Sequence, residues 1–379
     1  MKESAETHQV DTLEKLISHH DHLMLMPAAG NRNWQLILKE PDENFSQLRF
    51  GHLHYDLKNS FEDLRTRHAD IIGFDRGMTF SSGKKIELKL PHTPLAKDIA
   101  PMILQSRTPH AAYLEKTKEL LAHIHRGDIY EANYCIEFFN ENVRIDPLHV
   151  FLRLNELTKA PHACLYRCGD AWLMCASPER FLKKQGSTII SQPIKGTRAR
   201  GKTKAEDDQL ISELQNDPKE ISENVMIVDL VRNDLSRIAE KGSVRVEELC
   251  AVHTFESVHQ MISTVSADVN EKIPFEEIVR ATFPMGSMTG APKVRAMQLI
   301  DEFEDMNRGI YSGSVGIIEP NGDFDLNVVI RSIEYNSRSG YLCVKVGSAI
   351  TANCDPEKEY EECLVKAAPM FRALNATLK

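Results

Sequence analysis

Strand-like and helix-like patterns fall in blocks along this sequence. Apolar runs with strand character dominate from about Ile129 to Ile194, broken by one helical stretch near Leu148–Leu157. Three more strands follow one another near 311–319, 324–335 and 341–350. The strict strand–helix alternation of a doubly wound parallel sheet is missing, which points to an α+β fold with antiparallel sheets. A chain of 379 residues can bury a full core without disulfides or metals.

Caps mark the helix starts. Asp217-Pro218-Lys219-Glu220 combines an N-cap Asp, a Pro at the first helical position and a Glu three residues after the cap. Ile221, Val225, Val228, Leu235 and Ile238 then recur at helical spacing. Asp355-Pro356 opens a last helix in the same way. Further helices are expected over 112–125, 274–282 and 294–305, with a Gly/Pro-rich loop over 285–293. Residues 11–95 mix short strand-like runs with turns, and the Pro-containing stretch 92–111 reads as a connection. The chain thus divides into an N-terminal region, 1–111, and a larger unit, 112–374.

Charge and composition exclude several classes. Lys plus Arg number 46 against 55 Asp plus Glu, a net charge of −9. The basic excess of a nucleic-acid binder is absent, so an anionic ligand needs locally gathered cations. No apolar run reaches the roughly 20 residues of a membrane helix. The polar start MKESAETHQVD lacks the apolar core of a secretion signal, and a cytoplasmic location is expected. The eight cysteines lie in apolar segments without framework spacing and read as reduced, buried thiols. His162, Cys164, Cys168 and Cys175 lack the paired short knuckles of a zinc site.

One motif points to a different class, a nucleotide-binding protein. Residues 196–203, GTRARGKT, match the phosphate-loop pattern, and Val225–Asp229 imitates the apolar run and Asp that hold magnesium in nucleotide hydrolases. The context argues against it. Pro193 and Lys195 directly precede the first Gly, where a buried parallel strand belongs, and the loop interior is bulky. Val225–Asp229 falls inside the helix begun by Asp217-Pro218.

Charged residues gather in two further places. Glu359 and Glu362 stand i, i+3 on the last helix, and Lys366 follows Glu362 at i+4 on the same face. Glu223 lies in the first turns of the other Asp-Pro helix. Carboxylates on two helices suit one hard cation such as magnesium, although EKEYEE also reads as a solvated face. Segments 171–182 and 187–195 look like a hairpin turning at Lys184-Gln185-Gly186. Glu179 then lies opposite about position 192, and Lys195 is roughly 10 Å further along a strand. That gap admits a six-membered ring between a carboxyl and an amine.

The segments GDIYEANY (127–134), SPERF (177–181), PIKGTRARG (193–201), ENVMIVDLVRNDLSRIA (223–239), VHQMIST (258–264), FPMGSMTGAPKVRAMQLID (283–301), YSGSVGII (311–318), VVIRSI (328–333) and EYEECLVKA (359–367) occur in this order. On these the chain resembles the chorismate-utilising enzymes. That group holds anthranilate synthase component I, aminodeoxychorismate synthase component I, and the isochorismate and salicylate synthases. The N-terminal third matches mainly at FGHLHYDL (50–57). Members like aminodeoxychorismate synthase carry PIKGT and members like anthranilate synthase PIAGT; this chain has Lys195. Isochorismate-forming members place a water-activating Lys in the first segment, where this chain has Glu131.

The resemblance implies an anthranilate-synthase-like fold, with antiparallel sheets packed face to face and helices on the outside. It implies amination of chorismate to 4-amino-4-deoxychorismate, toward 4-aminobenzoate and folate, with anthranilate formation as the alternative. Lys195 would add at ring carbon 2 while Glu179 protonates the departing 4-hydroxyl. Ammonia then adds at carbon 4 and expels Lys195. These roles call for a lowered pKa at Lys195 and a raised one at Glu179. Magnesium is implied at Glu223 and Glu362, with Glu359 a direct or water-mediated ligand. Substrate contacts are implied at Gly196, Thr197, Tyr311, Arg331, the turn of Gly347, Ser348 and Ala349, and Lys366. Gln260 stands where members often have His, so no His-assisted step is expected. The N-terminal third lacks a Leu-Leu-Glu-Ser segment, which argues against tryptophan control. No cysteine sits in a Gly-x-Cys-x-Gly turn, so a separate glutamine amidotransferase is the implied partner.

Overall fold

Strand Met78–Leu88 belongs to both main sheets of the molecule. In the computed structural model, which describes residues 12–28, 33–41, 47–88, 99–256 and 258–379, its residues 78–82 pair with Arg49–Leu53 and its residues 83–88 with Trp34–Lys39. Gly83 sits at the crossing. A Cβ there would lie 2.6 Å from Ile37 and 2.7 Å from Phe50, so the strands close around the bend only at a residue without a side chain.

The first sheet runs, by pairing, Met78–Leu88, Trp34–Lys39, His22–Pro27, His162–Cys168, Ala171–Ser177, Ser332–Asn336, Leu342–Thr351 and Glu131–Asn140, all antiparallel. The second runs Met78–Leu88, Arg49–Leu53, Ser314–Ile318, Phe324–Asn327, Arg180–Gln185, Thr188–Gln192, Val258–Asp268 and Arg245–Thr254. Ile194–Ala199 continues alongside Val258–Asp268. The strands of the N-terminal region are therefore woven into both sheets.

Between the sheets, Met24, Ile37, Tyr166 and Leu173 of the first meet Phe50, Val315 and Ile317 of the second. Helices His110–His125, Pro147–Thr158, Lys293–Phe303 and Pro356–Leu374 cover the first sheet through Leu120, Phe151, Leu299 and Met370. Helices Pro218–Ser236 and Phe275–Thr282 cover the second through Ile227, Leu235 and Ile278. The result is the expected α+β sandwich with helices outside. Both Asp-Pro caps form: Asp217 accepts from the N–H groups of Lys219 and Glu220, and Asp355 from that of Glu357, each cap contributing about 1 kcal/mol. No helix of the described residues is long and apolar enough to cross a membrane.

The strand runs differ from the sequence reading at three places. The stretch 171–182 leaves the first sheet after Ser177 and enters the second at Arg180, so Pro178-Glu179 bridges the sheets. The run 324–335 is split likewise, and Arg331, at φ 52°, hands the chain back to the first sheet. Residues buried on both faces carry no period, which hides such crossings. Within the presumed connection 92–111, Met102–Ser106 is a strand beside Glu131–Asn140 and Ala376–Leu378; residues 92–98 lie outside the described residues.

Candidate active site

The two crossings run side by side, and they fix Glu179. Its N–H donates to Ser177 Oγ at 3.2 Å, and its carbonyl accepts from the N–H of Val328 at 3.0 Å. The carboxyl is buried and accepts from Ser287 Oγ at 2.7 Å and from the N–H of Ile194. Burial pushes its pKa to about 7, against the lowering effects of Ser287 and Lys195. A carboxyl that still carries a proton near neutrality can serve as an acid.

Ser287 belongs to the turn Gly286–Met288, which Arg308 holds in place. The buried guanidinium donates to Met288 O at 2.6 Å, Asn133 O at 2.7 Å, Ser312 Oγ at 3.1 Å and both carboxylate oxygens of Glu304. No spacing in the sequence marks Ser287 or Arg308; both lie inside or beside the 283–301 match without a distinct signal.

Lys195 lies on Ile194–Ala199 at an irregularity in its pairing. Its Nζ is 2.7 Å from Glu131 Oε1 and 3.7 Å from Glu223 Oε2, and its side chain is 10% exposed. Burial alone would lower the ammonium pKa. Glu131, Glu223 and Glu179 together outweigh burial and hold it above the ordinary lysine range. This is opposite to the expected lowering, because the neighbours within reach are carboxylates. The surrounding carboxylates thus favour the ammonium form, and reducing their negative charge would favour the neutral amine.

Glu223 and Glu359 approach from the two Asp-Pro helices. Both are buried, and Lys219 Nζ lies 3.1 Å from Glu359 Oε1 and 3.8 Å from Glu223 Oε1. Glu223 Oε1 and Glu359 Oε2 have no hydrogen-bond partner. Burial pushes Glu223 to about 7 and raises Glu359 as well. Two buried, under-coordinated carboxylates are donors of the kind magnesium takes, so the residues fit the implied ion. Glu362 is instead engaged by Lys366 at 2.6 Å and is 43% exposed. A tighter donor group lies elsewhere, at Glu14, Asp146 and His149. There the carboxylates face opposite nitrogens of one imidazole, at 3.5 and 3.1 Å, which is an ion-pair arrangement and not chelation.

The remaining expected residues are placed unevenly. Lys366 Nζ donates to Gly347 O at 2.8 Å. Gly347, Ser348 and Ala349 lie within strand Leu342–Thr351 and not in a turn, and Ser348 Oγ is bonded to the Tyr113 hydroxyl at 2.9 Å. A Cβ at Gly347 would come within 2.5 Å of Asn133 and Cys135. Tyr311 is packed in the core under the second sheet's helices. The Arg331 guanidinium has no hydrogen-bond or ion-pair partner among the described residues; it lies within electrostatic reach of Tyr311 and Glu362. Gly196 takes φ 83°, and Thr197 is exposed. Gln260 is buried opposite Thr197.

The phosphate-loop match is filled from within. The N–H of Gly201 donates to Asp207 and that of Lys202 to Glu206, both at 2.8 Å, so acidic side chains occupy the amides a phosphate would need. The preceding strand is antiparallel to its neighbour. A cavity of about 500 Å³, lined by Met24, Met26, Arg180, Ile194 and Ile317 among others, lies between the sheets and includes none of the clustered carboxylates.

Residues 27–372 match the profile of the chorismate binding enzyme family. Aminodeoxychorismate synthase component 1 of Bacillus subtilis is 37% identical over 261 residues, covering 69% of this chain and 54% of that protein. The probable chloroplastic aminodeoxychorismate synthase of Oryza sativa is 41% identical over 258 residues, covering 67% and 29%. The matched part thus spans about half or less of these curated relatives. Among solved structures, anthranilate synthase component I from Streptococcus pneumoniae superposes with a TM-score of 0.76 at 24% identity, covering 87% of this chain and 82% of that one. The menaquinone-specific isochorismate synthase of Escherichia coli gives 0.76 at 14% identity, covering 95% and 91%. These structures share the fold, and the profile runs across both sheets and both Asp-Pro helices; on that ground the chain belongs to the chorismate binding enzyme family.

Proposed function

We propose that this protein aminates chorismate at ring carbon 4 to give 4-amino-4-deoxychorismate, with ammonia supplied by a glutamine amidotransferase partner. The observation that carries the reading is that Lys195 and Glu179 lie within electrostatic reach of each other in one enclosed cluster, where burial raises the Glu179 pKa to about 7. The names of the aminodeoxychorismate synthases above support the reaction, and "component 1" in one of them supports a second component. The product would lead to 4-aminobenzoate and folate, and the reading places the protein in the cytoplasm.

Chorismate is a dianion, and Arg331 and Lys366 supply matching charge; Arg331 can clasp a carboxylate through two nitrogens. Lys195 Nζ, once neutral, bonds to carbon 2 as both ring double bonds shift by one position and the 4-hydroxyl departs as water with the proton of Glu179. Ammonia then bonds to carbon 4, both double bonds return, and the bond from carbon 2 to Lys195 breaks to release the neutral amine. One hard displacement becomes two easier ones. Magnesium, held by Glu223 and Glu359 with Glu362 beside them, would supply positive charge against the ring carboxylate and against the field that keeps Lys195 protonated.

The test is product identification with chorismate, magnesium and ammonium. A product that keeps the enolpyruvyl group supports the reading. A fluorescent product that has lost it is anthranilate and overturns it.

A further inference from the structure

Lys219 is in an unfavourable place for a helix. It lies in the first turn of Pro218–Ser236, where the positive end of the helix dipole opposes a cation. Its side chain is only half covered, at 48% exposure. What it touches is specific: Glu359 Oε1 at 3.1 Å on the other helix and Glu223 Oε1 at 3.8 Å one turn along its own. Both carboxylates are buried, and each keeps one oxygen without a hydrogen-bond partner, Glu223 Oε1 and Glu359 Oε2. Two buried anions at one point need a cation; Lys195 lies 3.7 Å from Glu223, and the Lys219 ammonium is the one that also pairs with Glu359.

We propose that Lys219 is a displaceable occupant of the cation site: its ammonium balances Glu223 and Glu359 in the metal-free protein and swings into solvent when magnesium enters. The inference rests on Glu223 and Glu359 being the magnesium ligands. The half-exposed, flexible stem lets the ammonium leave without repacking. Lys195, by contrast, is enclosed and also bound to Glu131, so it stays. A positive charge about 4 Å from a divalent ion opposes its binding. Lys219 therefore weakens metal affinity while protecting the metal-free fold, and it couples metal release to a local exchange of charge.

The test uses the full chain without chorismate, at pH 8 and fixed salt. Lys219→Met, Lys219→Gln and Lys219→Arg are compared with the original chain by magnesium calorimetry, by manganese spin resonance and by thermal unfolding in EDTA. Met and Gln should bind either ion roughly tenfold more tightly, with Arg near the original, since a unit charge about 4 Å from a divalent ion is worth about that even in water. Met and Gln should also unfold at lower temperature in EDTA and recover more than the original chain when magnesium is added. Equal or weaker metal uptake by both neutral variants would overturn the proposal and make Lys219 a residue that positions the carboxylates. Glu223→Gln separates the two readings. If the original chain binds metal and Glu223→Gln does not, the ligand assignment stands whatever Lys219 does. If no chain binds metal, both fall together.

Discussion

In the proposed reaction Lys195 loses a proton in a nest of carboxylates while Glu179 keeps one within their electrostatic reach. The cluster favours the second condition over the first. Removing Lys195 tests both its chemistry and its structural part. Lys195→Met should lower turnover by roughly 10³-fold, as loss of covalent help does. It also strands Glu131, which is 1% exposed, so stability should fall by about 3 kcal/mol. Adding Glu131→Gln should restore the unfolding temperature and leave turnover low; a double variant that regains activity would remove Lys195 from the reaction. Glu179 gives a signed pH effect. Its carboxyl is raised from 4.5 to about 7 in the fold, so its contribution is complete below 4.5 and is lost as pH rises through 7. The gap corresponds to about 3 kcal/mol. Glu179→Gln should match the original chain in unfolding temperature at pH 4.5 and exceed it at pH 8, while losing most activity. In the original chain, kcat/KM for chorismate at constant free ammonia should fall above about pH 7. A profile flat to pH 9 would exclude Glu179 as the acid. Both residues stand in legible motifs, SPERF and PIKGT. Their electrostatic setting does not, because Glu131, Ser287 and Lys219 reach the site from segments 64, 92 and 24 positions away from Lys195 in sequence.

The elements that carry the site were legible to very different degrees. Asp217-Pro218 and Asp355-Pro356 announce their helices because a cap is a local hydrogen-bond pattern, and both formed where the sequence placed them. The crossings at Pro178-Glu179 and at Arg331 were not legible, since strands covered on both faces have no polar side to count from. Pro178 was the one local signal. The turn bearing Ser287 depends on Arg308, whose guanidinium and Glu304 are both buried. Cutting that pair should cost about 3–5 kcal/mol, because it leaves a buried carboxylate alone. Arg308→Met should therefore lower the unfolding temperature, and it should raise KM or lower kcat further than an equally destabilising core change such as Met370→Ala. Comparing the two at a temperature where both are folded checks this. Equal kinetics in the two variants would mean that the Arg308 network supports the fold without positioning Ser287 and Glu179.

At the scale of the whole molecule, the proposed amination raises the question of where nitrogen comes from. Releasing ammonia from glutamine requires a thiolate to attack the amide, which calls for a cysteine with a depressed pKa in an electropositive, accessible setting. All eight cysteines are free thiols, and none is placed that way. Burial pushes Cys363 and Cys168 up to about 11 and lifts Cys135 and Cys343 further. Burial also raises Cys250 and Cys354. Cys164 and Cys175 face each other across paired strands inside the sandwich. The purified chain should therefore make product from ammonium, at a rate that follows free ammonia, and make none from glutamine alone. Adding a glutamine amidotransferase subunit should restore glutamine use. If the two active sites are coupled, chorismate should in turn raise that subunit's glutaminase rate. The measurement is product formation from ammonia-free protein with glutamine as sole nitrogen donor. Robust turnover by the chain alone would overturn the two-component reading and require an amidase site that none of these thiols explains.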